Sequence, residues 1–245
     1  METADFALAL AIMVGAALYS SVGHAGASAY IAIMALAGVA PEVMRPTALT
    51  LNVIVASLAS FRFVRAGLFR WRVLWPFLIT AVPMAFVGGG IVLPSELYRP
   101  IVGVVLWLSA IRLFLPQRLR AETDSHDPPI APALIAGAAI GLLSGLTGTG
   151  GGIFLSPILL FFAWCPPKTA SGIAAVFILC NSLAGLAGNV SALGNLPPTL
   201  PLLAVGAIAG GLIGTTLGIR LSTRFVTRSL AVVLVVAGAK MIGVY

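Results

Sequence analysis

Charge is what this sequence lacks most. Of its 245 residues only 9% are charged, and seven are acidic. A soluble domain carries about 25% charged residues to cover its surface, so a soluble globular fold is excluded. The seven carboxylates, Glu2, Asp5, Glu42, Glu96, Glu122, Asp124 and Asp127, all fall at the ends of apolar runs or between them. Carboxylates inside a membrane usually mark cation pathways or proton relays, and a carboxylate-based proton or sodium mechanism has no seat here. Two cysteines cannot make a disulfide framework, and neither Cys165 nor Cys180 belongs to a cluster with metal-ligand spacing. Both read as small packing residues. His126 stands between Asp124 and Asp127 in a polar stretch, which reads as a solvated loop rather than a metal site. No Ser/His/Asp or His/Glu grouping falls within the apolar runs, so an enzyme embedded in the membrane finds no support. No Gly-Lys-Ser/Thr phosphate loop follows any glycine cluster, and neither a cofactor nor a metal is expected.

What is abundant is apolar. Hydrophobic residues make up 60% of the chain, and the mean hydropathy is +1.09. The runs cover residues 6–22, 47–61, 73–93, 101–115, 133–146, 200–218 and 230–244, separated by short basic or proline-rich stretches. Crossing the hydrocarbon core takes about 20 residues as a helix, and the pattern predicts an all-α, polytopic inner-membrane protein of about 8 to 10 segments. The first run follows Glu2 and Asp5 rather than a basic region and lacks a small-residue cleavage site, so it reads as a retained segment. A net charge of +7 invites nucleic acid as a partner. The arginines, however, lie between the apolar runs, where they set orientation in the bilayer. The expected partners are the lipid bilayer and a small solute, with no nucleic acid; a homo-oligomer is left open.

The chain divides at its longest polar stretch into a first membrane repeat (1–116), a linker (117–131) and a second repeat (132–245). The segments "SSVGHAGASAYIAIMALAGVAPEVMRP" and "SGLTGTGGGIFLSPILLFFAWCPPKTAS" share a leading serine, a glycine-rich cluster, a short apolar run and a proline turn. Each is followed by an apolar run with one amide, Asn52 or Asn181. Basic residues then alternate. Arg62, Arg65, Arg70 and Arg72 follow the Asn52 run, whereas the loop after the Asn181 run has none, and Arg220, Arg224 and Arg228 come one loop later. Cytoplasmic loops hold the positive excess, so equivalent loops are expected on opposite sides of the membrane. This predicts two inverted-topology repeats, a cytoplasmic linker carrying Arg118 and Arg120, and both termini outside.

Glycine clusters inside apolar segments need a reason. Irregular backbone survives at membrane depth only when buried in protein or lining a wet cavity. The stretches 29–40 and 154–164 are about a dozen residues, or about 18 Å as helix, too short for a core of about 30 Å. Short helices opening at glycine breaks, one per inverted half, are the discontinuous helices of secondary transporters, whose N-terminal ends meet near the midplane. Such ends bind anions through unpaired N–H groups and the helix dipole. Close helix packing explains the regularly spaced glycines of 206–220 better than it explains Gly148, Gly150, Gly151 and Gly152.

The candidate binding residues are therefore His24, Gly26, Ser28, Asn52, Thr149, Gly150, Gly151, Gly152 and Asn181, with Ser144 and Thr147 nearby. For Asn52 and Asn181, an interhelical hydrogen bond and a ligand contact stand as equal alternatives. His24 could donate to an anion, sense pH, or pair with a carbonyl. Arg45, beside Pro46, and Lys168, in the corresponding turn of the second half, are candidates for the mouths of an anion pathway or for snorkelling helix ends.

With these residues in view, the chain resembles the sulfite exporter TauE/SafE family of membrane transporters. The resemblance lies in "GHAGASAYIAI", "MRPTALTLNVIVAS" with "RFVRAGLFRWRVLWPF", and "GLLSGLTGTGGGIFLSPILL" with "KTASGIAAVFILCNSLAGL". It implies transport, more often export, of sulfur-containing oxyanions such as sulfite or organosulfonates. One departure is the first cluster, Gly23-His24-Ala25-Gly26-Ala27-Ser28, which is less glycine-rich than family members often are. The two half-sites are expected to be unequal, with His24 and Ser28 supplying side-chain donors. The alternative reading is a passive anion channel or a permease for an unrelated small anion.

Overall fold

The computed structural model describes residues 3–21, 23–114, 126–218, 234–236 and 238–243. Most of the linker, including Arg118 and Arg120, lies outside the described residues, as do Arg220, Arg224 and Arg228. Every described element is helical: α1 (Thr3–Ser21), α2 (Ala27–Leu36), α3 (Pro41–Arg65), α4 (Trp71–Gly90), α5 (Ser95–Phe114), α6 (Ile130–Thr147), α7 (Gly152–Phe161), α8 (Pro167–Gly188) and α9 (Leu200–Gly218), with a 3-10 turn at Val190–Asn195. Five of these, α1, α3, α4, α6 and α8, are long and apolar enough to cross a membrane. The protein is an all-α polytopic membrane protein.

The two short helices correspond in detail. Each has ten residues and opens after a left-handed glycine, Gly26 (φ 114°) or Gly151 (φ 79°). This is why both begin two residues before the expected boundary. Each ends with a left-handed residue, Gly38 (φ 77°) or Ala163 (φ 54°). The chain then closes the helix with the same bond, Val39 N–H to the Met34 carbonyl and Trp164 N–H to that of Leu159, both at 2.9 Å. A long helix with proline in its first position follows in each half, Pro41 for α3 and Pro167 for α8. This registration makes Glu42 the counterpart of Lys168 and Arg45 that of Ser171, so Lys168 falls three residues before the position equivalent to Arg45. It also sets Asn52 about one helical turn out of register with Asn181.

Packing is built on glycine. Cβ atoms at Gly206, Gly210 and Gly214 of α9 would meet the carbonyl oxygens of Ala9, Met13 and Ala17 in α1. Cβ atoms at Gly137, Gly141 and Gly145 of α6 would meet those of Phe77, Ala81 and Ala85 in α4. Small residues let backbones approach where no hydrophobic effect drives helices together. In both pairs the residue numbers rise together, so α1 runs parallel to α9 and α4 to α6. Between α3 and α8 they run oppositely: Leu49 meets Gly185, Asn52 meets Ser182, and Phe63 meets Gly172. These central helices, one from each half, are antiparallel.

Charge divides between the two ends of the bundle. Arg62, Arg65, Arg70, Arg72 and Lys168 gather where α3 and α9 finish and α4, α6 and α8 begin. There Arg70 pairs with Asp127 at 2.8 Å, and Arg62 donates to Thr215 and Thr216 at the end of α9. Glu42 and Glu96 stand at the opposite end, with Ser95 Oγ donating to Glu42 at 3.0 Å.

Candidate functional site

The two glycine breaks come together in the middle of the bundle. In the first, the N–H groups of Gly23 and His24 turn back onto the Ser20 and Tyr19 carbonyls as α1 ends. In the second, Gly148 N–H closes α6 onto Ser144, and Gly148, Gly150 and Gly151 all take positive φ. Only glycine holds three such residues in four without strain. A Cβ at Gly150 would strike Asn52 Nδ2 and lie 2.9 Å from Ile178, and one at Gly151 would crowd Ile140 at 2.8 Å. His24 reaches across the halves, with Nε2 3.1 Å from the Gly152 carbonyl oxygen and 3.2 Å from Ser156 Oγ.

Neither short helix has a side-chain cap at its N-terminus. Their helical bonds start with Tyr30 N–H onto Gly26 and with the Phe154 and Leu155 N–H groups onto Gly151. The N–H groups of Ala27, Ser28 and Ala29, and of Gly152 and Ile153, precede those bonds at the positive end of each helix dipole. Around them stand buried polar atoms without hydrogen-bond partners: both amide atoms of Asn181, Asn52 Oδ1, Ser144 Oγ, Ser20 Oγ and Thr47 Oγ1. Asn181 is 0% exposed, one turn beyond Phe177 and Ile178, which line Gly151 and Gly152.

The structure thus brings His24, Asn52, Thr149, Gly150, Gly151, Gly152 and Asn181 to one region. Ser28 and Gly26 stand at the start of α2, where Ser28 lies beside the Tyr19 hydroxyl and Gly26 packs under Tyr30. Thr149 bonds to Thr147 through their hydroxyls at 3.0 Å. Sequence reasoning missed Ser156, Ser182 and Tyr98. Ser182 accepts from Asn52 Nδ2 at 3.3 Å, and Tyr98 donates to the Thr147 carbonyl at 3.1 Å. A serine directly after Asn181 and a Ser-Pro pair inside an apolar run were the available signals. Among the described residues no group of His, Cys, Asp or Glu could hold a metal ion.

The two candidate mouth residues lie at opposite ends of the antiparallel α3/α8 pair. Arg45 closes the end of α4, donating to the carbonyls of Gly88 and Ile91 at 2.8 Å each and to that of Gly89. With Glu42, Tyr98 and Asn195 it lines a cleft of about 170 Å³, and a Cβ added at Gly148 would lie 3.2 Å from its stem. Arg45→Met is expected to lose about 2 kcal/mol of stability, the scale of a hydrogen bond to a charged group, with Arg45→Lys recovering part of it. Thermal melts in detergent check this. Lys168 is exposed at the other end.

Short helices opening at apposed glycine breaks within a polytopic bundle fit a membrane transport protein. The sequence comparisons agree. Residues 7–241 match the family described as "Sulfite exporter TauE/SafE", and the chain belongs to that family. It is 40% identical to "Probable membrane transporter protein y4hK" of Sinorhizobium fredii, over 99% of this chain and 100% of the relative. It is 27% identical to "Probable membrane transporter protein YjnA" of Bacillus subtilis, over 95% of this chain and 97% of the relative. No solved structure matches. The protein is a multi-pass membrane transporter.

Proposed function

We propose that this transporter is a secondary carrier that exports a small sulfur-containing oxyanion, sulfite or an organosulfonate, across the inner membrane. One observation carries the reading. Two uncapped helix N-termini open from apposed, buried glycine breaks, beside an Asn181 amide that has no partner in the protein. Exposed N–H groups and positive dipole ends suit an oxyanion. In this reading Asn181, Asn52, Thr149, His24 and Ser28, with the backbone of Gly26, Gly150, Gly151 and Gly152, hold the ion, while Arg45 and Lys168 guide it at the two mouths. The described carboxylates Asp5, Glu42, Glu96 and Asp127 stand at helix starts or in the linker, away from this region. The family's description as sulfite exporters supports the substrate class and the direction.

The antiparallel α3/α8 pair and the matching short helices support two inverted repeats, 1–116 and 132–245. The cluster of Arg62, Arg65, Arg70, Arg72 and Lys168 at one end supports a cytoplasmic location for that end and for the linker 117–131.

The test is exchange in proteoliposomes preloaded with unlabelled sulfite, at mildly alkaline pH so that no neutral gas leaks through lipid. Saturable uptake of labelled sulfite, competed by organosulfonates and lost in Gly150→Leu, is the expected outcome. Exchange surviving Gly150→Leu would remove the site from the break. Its absence with folded wild type would remove sulfite as substrate, and unsaturable flux would favour a channel.

A further inference from the structure

A fully ionised oxyanion offers only acceptors, yet the site contains buried acceptors of its own. Asn52 and Asn181 are both 0% exposed, and the side-chain oxygen of each has no hydrogen-bond partner in the protein. An amide oxygen can only accept. The N–H groups that open α7 suit the oxygens of an anion, and so does the Asn181 nitrogen, which is also without a partner. Asn52 is different. Its Nδ2 is committed to Ser182 Oγ at 3.3 Å, so its oxygen is what remains to be satisfied. A bare sulfite dianion leaves that oxygen unpaired, and a buried acceptor without a donor is costly.

The Asn52 amide lies against the second glycine break. A Cβ at Gly150 would strike its Nδ2 and stand 3.4 Å from Ser182 Oγ. Gly150 comes two residues before Gly152, the first residue of α7, so the two points are at most about 7 Å apart along the chain. On α8, Phe177 packs on Gly151, whereas Ile178 packs on Gly150 and Gly152. Asn181 and Ser182 stand one helical turn further along the same two faces. Asn181 therefore flanks the start of α7, and Asn52 with Ser182 flanks Gly150. An anionic group at the α7 N–H groups has only a short spacer's length to the Asn52 oxygen. What reaches that oxygen must carry a hydrogen. An ammonium would lose its water to neutral amide oxygens, with no carboxylate among the described residues of the region to pair with it. A hydroxyl brings the one hydrogen required and no charge.

We propose that the substrate of this carrier is a short hydroxyalkanesulfonate. Its sulfonate lies at the Gly152 and Ile153 N–H groups and Asn181 Nδ2, and its hydroxyl donates to Asn52 Oδ1. Asn52 is then the residue that sets specificity. A site built to pair with a substrate hydroxyl rejects the analogue that lacks it, because the buried oxygen is left without a donor. This inference rests on the oxyanion reading above and narrows its substrate class.

The experiment titrates the full chain in detergent with isethionate (hydroxyethanesulfonate), with ethanesulfonate, which lacks the hydroxyl, and with taurine, which carries an ammonium in its place. The half-effect concentration of each is read from the rise in melting temperature. Isethionate is expected to bind about 10-fold or more tightly than ethanesulfonate, and more tightly than taurine. Asn52→Leu is expected to bring the isethionate-to-ethanesulfonate ratio to about one. Asn181→Leu should weaken both ligands and leave the ratio in place, and Asn52→Asp, which keeps the acceptor, should do the same through its charge. The ratio is taken within each variant, so a loss of folded protein cancels. Labelled-isethionate counterflow in proteoliposomes is expected to show that the bound ion is carried. A wild-type ratio near one, a ratio undiminished in Asn52→Leu, taurine as the tightest ligand, or binding without counterflow would overturn the assignment. Stabilisation by sulfite with neither isethionate nor ethanesulfonate bound would overturn it while the oxyanion reading stands. No response of folded wild type to sulfite or to any sulfonate would overturn the oxyanion reading itself.

Discussion

Asn181→Leu is expected to make the protein more stable and a poorer transporter at once. The amide is 0% exposed, and neither its nitrogen nor its oxygen has a partner. A buried polar group left unsatisfied costs about 1–3 kcal/mol. Leucine fills a similar volume without that cost, so the melting temperature in detergent should rise. The same substitution removes a donor to the bound anion. A hydrogen bond to a charged group contributes about 1.5–3 kcal/mol, and half-saturation should therefore rise about 10- to 100-fold in the exchange assay. A variant that melts lower and transports normally would make Asn181 a structural residue. Asn52 differs, because its Nδ2 already donates to Ser182 across the antiparallel pair. Changing it would loosen the contact between the halves.

Gly141→Ala is expected to prevent correct folding although it adds a single methyl group. The new Cβ would lie against the Ala81 backbone of α4, with its carbonyl oxygen, Cα and carbonyl carbon all too close for van der Waals contact. Overpacking typically costs about 1–3 kcal/mol and occasionally more, and helical backbone cannot swing aside as a flexible side chain can. The gain in helix propensity, about 1 kcal/mol for Gly to Ala, does not offset it. Gly194→Ala is the matched control. It lies in the 3-10 turn with nothing within 4 Å of an added Cβ and without positive φ, and its effect should stay within about 0.5 kcal/mol. The fraction of monodisperse protein after gentle extraction, together with the melting temperature, checks both. Equal behaviour of the two variants would mean that the α4/α6 seam is not the tight contact described.

Much of the site was legible in the sequence because glycine and amide residues are conspicuous in an apolar chain. "GTGGG" announced irregular backbone, and the shortness of the run after it announced a helix that cannot span. The expected start of that helix was late by two residues, since apolar side chains mark where a helix faces its neighbours rather than where its first N–H groups lie. Ser156 and Ser182 were missed for the opposite reason. A lone serine within an apolar helix is unremarkable until its neighbour is known, and here the neighbours are His24 and Asn52, more than a hundred residues earlier. Arg45 also gained a second role. As a charge next to a proline it suggested a pathway mouth, and its three acceptors at the end of α4 make it in addition a helix cap that lines the cleft.

By itself the sequence determined that the chain must live in a bilayer, that it is all helix, and that two short helices open at glycine. Each of these follows from local quantities: charge density, the length of apolar runs, and the conformational freedom of glycine. Only the tertiary structure decided that α3 and α8 run antiparallel, that His24 of one half touches Gly152 of the other, and that Asn181 is left without a partner while Asn52 has one. Those outcomes depend on which backbones approach closely, and close approach belongs to pairs of segments far apart in the chain.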